Sequence, residues 1–212
     1  MATRILAAWY LVGQDSGFPA VNFDAWNNTS SFNQHVNVQS NHATLIQQID
    51  AASTVLLKNT NSVLPLKAPK TIAIIGNGAA NSSRGAIGYS DHEGDDGVLA
   101  VGWESRTANF PYLTSPLDAI RSRSATDRTV VLLSTGARTE AMGKDVAFVF
   151  ITADSGEGYT MVEGNVGDRN SLSAWQSGDA LVAAVAAANK NTVVVVNSVG
   201  PINIEAWVTN PT

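Results

Sequence analysis

The chain has 212 residues, 44% of them hydrophobic, with a formal net charge of −5, no cysteine and no block of Lys or Arg. That length suits one α/β domain with a sizeable core, and the composition is neither that of a disordered nor that of a fibrous chain. It excludes disulfides, thiolate metal sites, a phosphate-tracking basic surface and any apolar run of the roughly 20 residues needed to span a bilayer.

Met1 opens directly into Ala-Thr-Arg-Ile-Leu-Ala-Ala-Trp-Tyr, whose short apolar part and lack of a cleavage site do not make a signal peptide. Residues 2–12 read as a short helix halted at Gly13. Residues 14–40, with Gly17, Pro19, five Asn and Phe18, Phe23 and Trp26, read as an ordered irregular connector. Such a length without regular structure is uncommon inside a compact domain and fits a linker lying on another one. Asn41 is a candidate cap for a helix running to about Asn59 with Leu45, Ile49, Ala52 and Leu56 on one face. Pro65 and Pro69 then break the chain.

Thr71–Ile75 is a short apolar run between Pro and Gly, the mark of a buried strand. Residues 76–114 are Gly-rich and irregular. A helix is expected from Ser115 to about Arg121, strands at 129–133 and 146–151, a polar loop over 152–174, an Ala-rich helix over 176–189 and a fourth strand at 192–196. Alternating buried strands and helices imply an α/β fold, a mostly parallel (mixed) sheet sandwiched between helices. Ligands of such sheets bind beyond the carboxyl ends of the strands, so the loops after Ile75, Ile151 and Val196 should share one edge.

Two of those loops carry motifs. Gly76-Asn-Gly-Ala-Ala-Asn81 begins like a dinucleotide fingerprint, but Asn stands for the third Gly and no helix pattern follows to hold a pyrophosphate. A turn that needs small residues is the stronger reading. The loop after the third strand holds Asp154, Glu157, Glu163 and Asp168, with Gly156 and Gly158 flanking Glu157. Crowded or half-buried carboxyls raise one another's pKa, which suits a general acid that stays protonated near neutral pH. Tyr159 has a face for stacking on a sugar, and Arg169 a charge for orienting a neighbouring Asp. A solvated Gly/Asp turn, one binding calcium included, explains the same composition, and the residues alone leave both readings open. Neither a His cluster nor calcium-loop spacing supports a metal site.

Ile151-Thr-Ala-Asp-Ser-Gly-Glu-Gly-Tyr159, Val162-Glu-Gly-Asn165, Gly167-Asp-Arg-Asn170 and Asn197-Ser-Val-Gly-Pro201 closely resemble fungal-type β-glucosidases of glycoside hydrolase family 3. Arg4-Ile-Leu-Ala-Ala-Trp-Tyr10, Ser53-Thr-Val-Leu-Leu-Lys-Asn59, Leu64-Pro-Leu66 and Ala108-Asn-Phe-Pro-Tyr-Leu113 do so as well, in order along nearly the whole chain. The resemblance implies a fragment: a barrel-end helix and linker over 1–40, and most of an α/β sandwich domain over 41–212 that stops before the family's last strands. Further strands missing after residue 212 would leave 192–196 near an exposed, association-prone edge.

The resemblance also implies roles. Glu157 matches the acid/base, Tyr159 an aromatic near the leaving group, and Ser105 a serine that reaches the glucosyl subsite. Glu104 and Arg106 replace the glycines that usually flank that serine, and Asn197 replaces a usual His. Tyr89 and Gly94 stand where many relatives have cysteines, and Asp91, Asp95 and Asp96 read as loop-shaping. The nucleophile is expected on a barrel domain that this chain lacks, so the chain alone should turn over little. The implied substrate is a β-glucoside or cello-oligosaccharide, with no cofactor, nucleic acid or membrane involved, and the implied location is secreted. Sequons at Asn27, Asn28 and Asn81 then become candidate glycan sites. A non-catalytic sugar-binding or assembly module of the same fold, and a nucleotide-binding α/β domain, are the competing readings.

Overall fold

A computed structural model of the chain describes residues 1–27, 29–85, 96–100, 110, 112–134, 138–156, 161–162 and 164–211. Two compact units are present, Met1–Leu57 and Lys58–Thr212. The first holds α1 (Ala2–Leu11) and α2 (His42–Ser53), joined by the expected irregular connector. That connector is internally tied: Gln34 N donates to Asn22 O at 3.0 Å and Asn33 Nδ2 to Asn27 O at 2.9 Å. Helix α2 stops six residues before the expected Asn59. Thr54 turns to extended backbone, and both its amide and its hydroxyl donate to Asp50 O, at 3.1 and 2.8 Å. Leu56 therefore lies outside the helix. The Asn41 side chain accepts from the Thr44 hydroxyl at 2.8 Å and makes no cap bond to the backbone.

The second unit is α/β. Its strands are β1 (Thr71–Ile75), β2 (Val130–Ser134), β3 (Val146–Ala153) and β6 (Thr192–Ser198), paired in the order β2-β1-β3-β6 with every pair parallel. A separate antiparallel hairpin, β4 (Met161–Val162) and β5 (Asn165–Val166), lies in the stretch expected to be wholly loop. Central strands read as continuous apolar runs because both their faces are covered. Ile72–Ile75 and most of β3 are buried accordingly, while edge strand β2 is exposed or half-buried throughout.

Period-two alternation assigns each face a helix. Ala73, Ile75, Ala147, Val149 and Ile151 pack with Val182 and Val185 of α4 (Gly178–Ala188). Ile72, Ile74 and Phe150 pack with Leu117 of α3 (Pro116–Asp127). Full burial of each of the Ile, Val, Leu and Phe side chains among them stabilises by about 1.5–3 kcal/mol. A one-turn α5 (Glu205–Val208), not foreseen from sequence, hangs Trp207 on α4 through Nε1 donating to Asp179 Oδ1 at 2.8 Å.

Helix α3 outruns its expected end at Arg121 by six residues. After Ile120 it buries only Ser124, so the apolar period fades while the helix continues along the surface. An Arg123–Asp127 pair at 2.7 Å spans one turn, and Arg128 ends the helix in the left-handed region at φ 57°. Its start is a capping box: Asp118 N donates to Ser115 Oγ at 3.2 Å, and Ser115 N to Asp118 Oδ2 at 3.4 Å.

At the amino edge of the sheet Asp145 couples β1 to β3. Its Oδ2 accepts from Lys70 N at 2.7 Å and Thr71 N at 2.9 Å, and its own amide donates to Thr71 Oγ1 at 3.0 Å. The Thr71 amide foremost, then Lys70 N–H, the Thr71 hydroxyl and the Lys70 charge, hold this carboxyl below its ordinary value against an opposing desolvation. A depressed folded-state pKa means that the unfolded chain binds the proton more tightly. The stabilisation is therefore complete above the unfolded-state value near pH ~3.9 and is lost as pH falls through the folded value. Asp145→Asn should lower the urea midpoint of the full-length protein at neutral pH. The gap from wild type should close below pH ~3.9; a gap independent of pH would contradict this role.

Candidate functional site

The order β2-β1-β3-β6 places a reversal of winding between β1 and β3. The chain steps outward from β1 to β2, then returns past β1 to β3. At such a switch point the loops leaving the carboxyl ends diverge and open a crevice, the usual ligand position in this architecture. The loops after β1, β3 and β6 all leave this one edge, as the parallel pairing requires. A cleft of about 250 Å³ lined by Asn61, Ser62, Lys67, Val146 and Asn191 lies at the other, amino edge.

On the β1 side, Gly76 has φ 112° and ψ 152°, and a Cβ there would overlap the Phe150 carbonyl oxygen. A Cβ on Gly78 would stand 2.6 Å from Thr152 Cγ2. Both glycines let the turn lie against β3, so the packing reading explains them without a phosphate. The turn continues into a three-residue 3-10 segment, Asn77–Ala79; α3, beginning at Pro116, is the next α-helix among the described residues. Asn77 then joins three segments: Oδ1 accepts from Gly97 N at 3.2 Å, and Nδ2 donates to Gln176 Oε1 at 2.8 Å. Sequence reasoning missed this bridge, because nothing in the spacing of 77 and 176 brings them together. Gln176 and Ser177 both take left-handed backbone, φ 52° and 59°, so α4 begins two residues after the expected position. Asp96, expected to shape its loop, accepts from the Ser82 hydroxyl at 3.2 Å. Asn81 Nδ2 donates to Asp118 Oδ2 at 3.1 Å.

On the β3 side the strand runs two residues beyond expectation, to Ala153. Asp154 follows, with no exposed surface, and its Oδ1 accepts from Ser155 N at 2.8 Å. Gly156 is also buried. Of the four clustered carboxylates, Asp154 is therefore interior while Asp168 faces solvent. The loop returns to its origin, since Trp175 N donates to Thr152 O at 2.9 Å. Arg169 Nη1 donates to the Ser198 hydroxyl at 3.5 Å, and among the described residues it makes no ion pair; it does not orient a neighbouring Asp there. Asn197 lies in β6, half-buried. Glu157, Tyr159 and Ser105 lie outside the described residues, as do Glu163, Asp91, Asp95, Glu104, Arg106, Tyr89 and Gly94.

A sequence profile of the Glycosyl hydrolase family 3 C-terminal domain matches residues 54–212. Probable beta-glucosidase L of Aspergillus fumigatus is 49% identical over 216 aligned residues, covering 100% of this chain and 29% of its own. Among solved structures, beta-glucosidase D2-BGL from Chaetomella raphigera superposes with a TM-score of 0.86 at 49% identity. The match covers 96% of this chain and 29% of that one. Beta-D-glucoside glucohydrolase from Trichoderma reesei gives a TM-score of 0.83 at 46% identity, over 99% and 29% of the two chains. The chain thus spans less than a third of the length of these relatives.

Proposed function

The chain belongs to glycoside hydrolase family 3, and from that premise we propose that it is the acid/base-bearing part of a secreted, retaining β-glucosidase. The observation that carries this is topological. Strand β3 delivers Asp154-Ser155-Gly156, the residues that precede Glu157 in the sequence, to the switch-point edge where the loops after β1 and β6 also emerge. Relatives that match the whole chain are β-glucosidases, and the substrate proposed is a terminal β-D-glucosyl residue, as in cellobiose.

In a retaining mechanism two carboxyl groups stand about 5–5.5 Å apart. One attacks the anomeric carbon while the acid gives its proton to the departing glycosidic oxygen. That bond breaks, and a glucosyl ester remains. The same acid, now a carboxylate, takes a proton from the water that cleaves the ester. Glu157 performs the second role. The nucleophile comes from a barrel domain preceding this region, with residues 1–40 as its end and linker and 41–212 as the sandwich domain.

A 2-deoxy-2-fluoro-β-glucoside with a good leaving group tests the division of labour, because the ester it forms hydrolyses slowly. In the full-length protein the label should fall on a carboxylate outside residues 1–212. A labelled peptide from within 1–212 would overturn the assignment.

A further inference from the structure

We propose that Arg169 is a positioning residue for the acid/base loop, clasping its returning limb to the end of β6 so that Glu157 stays in place; this rests on the proposed role of Glu157. The loop between β3 and α4 is long, and the Trp175–Thr152 bond closes its base. The β4–β5 hairpin within it pairs with itself and not with the main sheet, so the loop is held against the sheet by ties to neighbouring segments. On the departing limb Asp154 is fully buried, and its Oδ1 accepts from the adjacent Ser155 N. The returning limb is joined to the segment after β6 by Asn203 N donating to Leu172 O at 2.7 Å, and to the last residue of β6 by Arg169.

The seat of Arg169 is built for it. Ser198 donates its hydroxyl proton to Gly200 O at 2.6 Å, which leaves its oxygen to accept from Arg169 and from Gly200 N at 3.4 Å. Gly200 does not have left-handed φ, so backbone freedom does not explain the glycine there. A Cβ at that position would stand 2.9 Å from Arg169 Nη2: the missing side chain makes room for the guanidinium. Ser198 is in register with Ala153, and Val199 N donates to Ala153 O at 3.2 Å. The guanidinium therefore sits on the strand end beside the point where the acid/base loop departs.

General acid catalysis needs the carboxyl oxygen that carries the proton within about 2.6–3.2 Å of the leaving oxygen. A shift of about 1 Å can cost on the order of 100-fold. The loss should fall on substrates that need the proton. In the full-length enzyme, Arg169→Met should lower kcat/KM, which reports the glucosylation step, by about 10- to 100-fold on cellobiose and by less than ~3-fold on 2,4-dinitrophenyl glucoside. Gly200→Ala, which displaces the guanidinium without removing it, should act in the same direction. The double variant should be no worse than the more severe single one, and Arg169→Lys should recover part of the loss. Should Arg169→Met not fold, Gly200→Ala and Arg169→Lys carry the test. Equal losses on both substrates, additive effects or no loss would overturn the clasp. Glu157→Gln assayed alongside separates the two ideas. If it is substrate-selective and the Arg169 and Gly200 variants are not, the clasp fails and the acid stands. If its losses are equal on both substrates, the acid assignment fails and the clasp with it.

Discussion

Glu157→Gln in the full-length enzyme should cut kcat on cellobiose by about 10²–10⁴-fold, the usual contribution of a positioned general acid. The amide keeps the size of the side chain and removes its transferable proton. The second glucose of cellobiose departs as a sugar alkoxide unless it is protonated, so the glucosylation step with this substrate meets the whole loss. 2,4-Dinitrophenolate leaves unaided, and for that substrate glucosylation should be nearly intact. The water attack that follows still wants a base, so with the activated substrate the glucosyl ester should accumulate. A pre-steady-state burst of dinitrophenolate would report it. Azide needs no deprotonation and should speed the slow second step, giving β-glucosyl azide with retained configuration. A uniform loss on both substrates, with neither burst nor azide rescue, is the result a merely structural glutamate would give.

The parts legible in the sequence were those governed by local rules. Thr71–Ile75 was readable to the residue because Pro69 and Gly76 bracket an apolar run that both faces bury. The sharing of one edge by three loops followed from parallel alternation alone, and the family from short motifs kept in order. The failures were non-local. The last turns of α3 face solvent, so no apolar period marks them; the exposed Arg123–Asp127 pair spans them and the left-handed Arg128 ends them. The β4–β5 hairpin is two residues a side, too short for alternation to register. Asn77 reaching Gln176, and Arg169 reaching Ser198, are consequences of how the sheet is wound. Composition marked Arg169 as a charge beside acids, whereas the fold sets it over a glycine at a strand end.

Gly76→Ala should be among the most destabilising single changes in the second unit, and the reason bears on how its glycine-rich turn is understood. At φ 112° and ψ 152° the backbone is in a region essentially reserved to glycine, which costs another residue roughly 1–3 kcal/mol. The new methyl would also overlap the Phe150 carbonyl oxygen in central strand β3, which cannot retreat without disturbing its pairing with β1 and β6. Strain and overlap together should exceed about 3 kcal/mol, beyond the ordinary range of point substitutions. Gly143→Ala supplies the control: its φ is 69° with nothing within 4 Å of the added methyl, so only the backbone cost of about 1 kcal/mol remains. Thermal midpoints of the two full-length variants should therefore differ widely. Gly78→Ala adds a second check, since its methyl meets Thr152 Cγ2, and Thr152→Ser in the same chain should restore much of the loss. If Gly76→Ala proves no worse than Gly143→Ala, the turn is not pressed against β3, and the fingerprint-like Gly76-Asn-Gly78 would need a ligand to explain it.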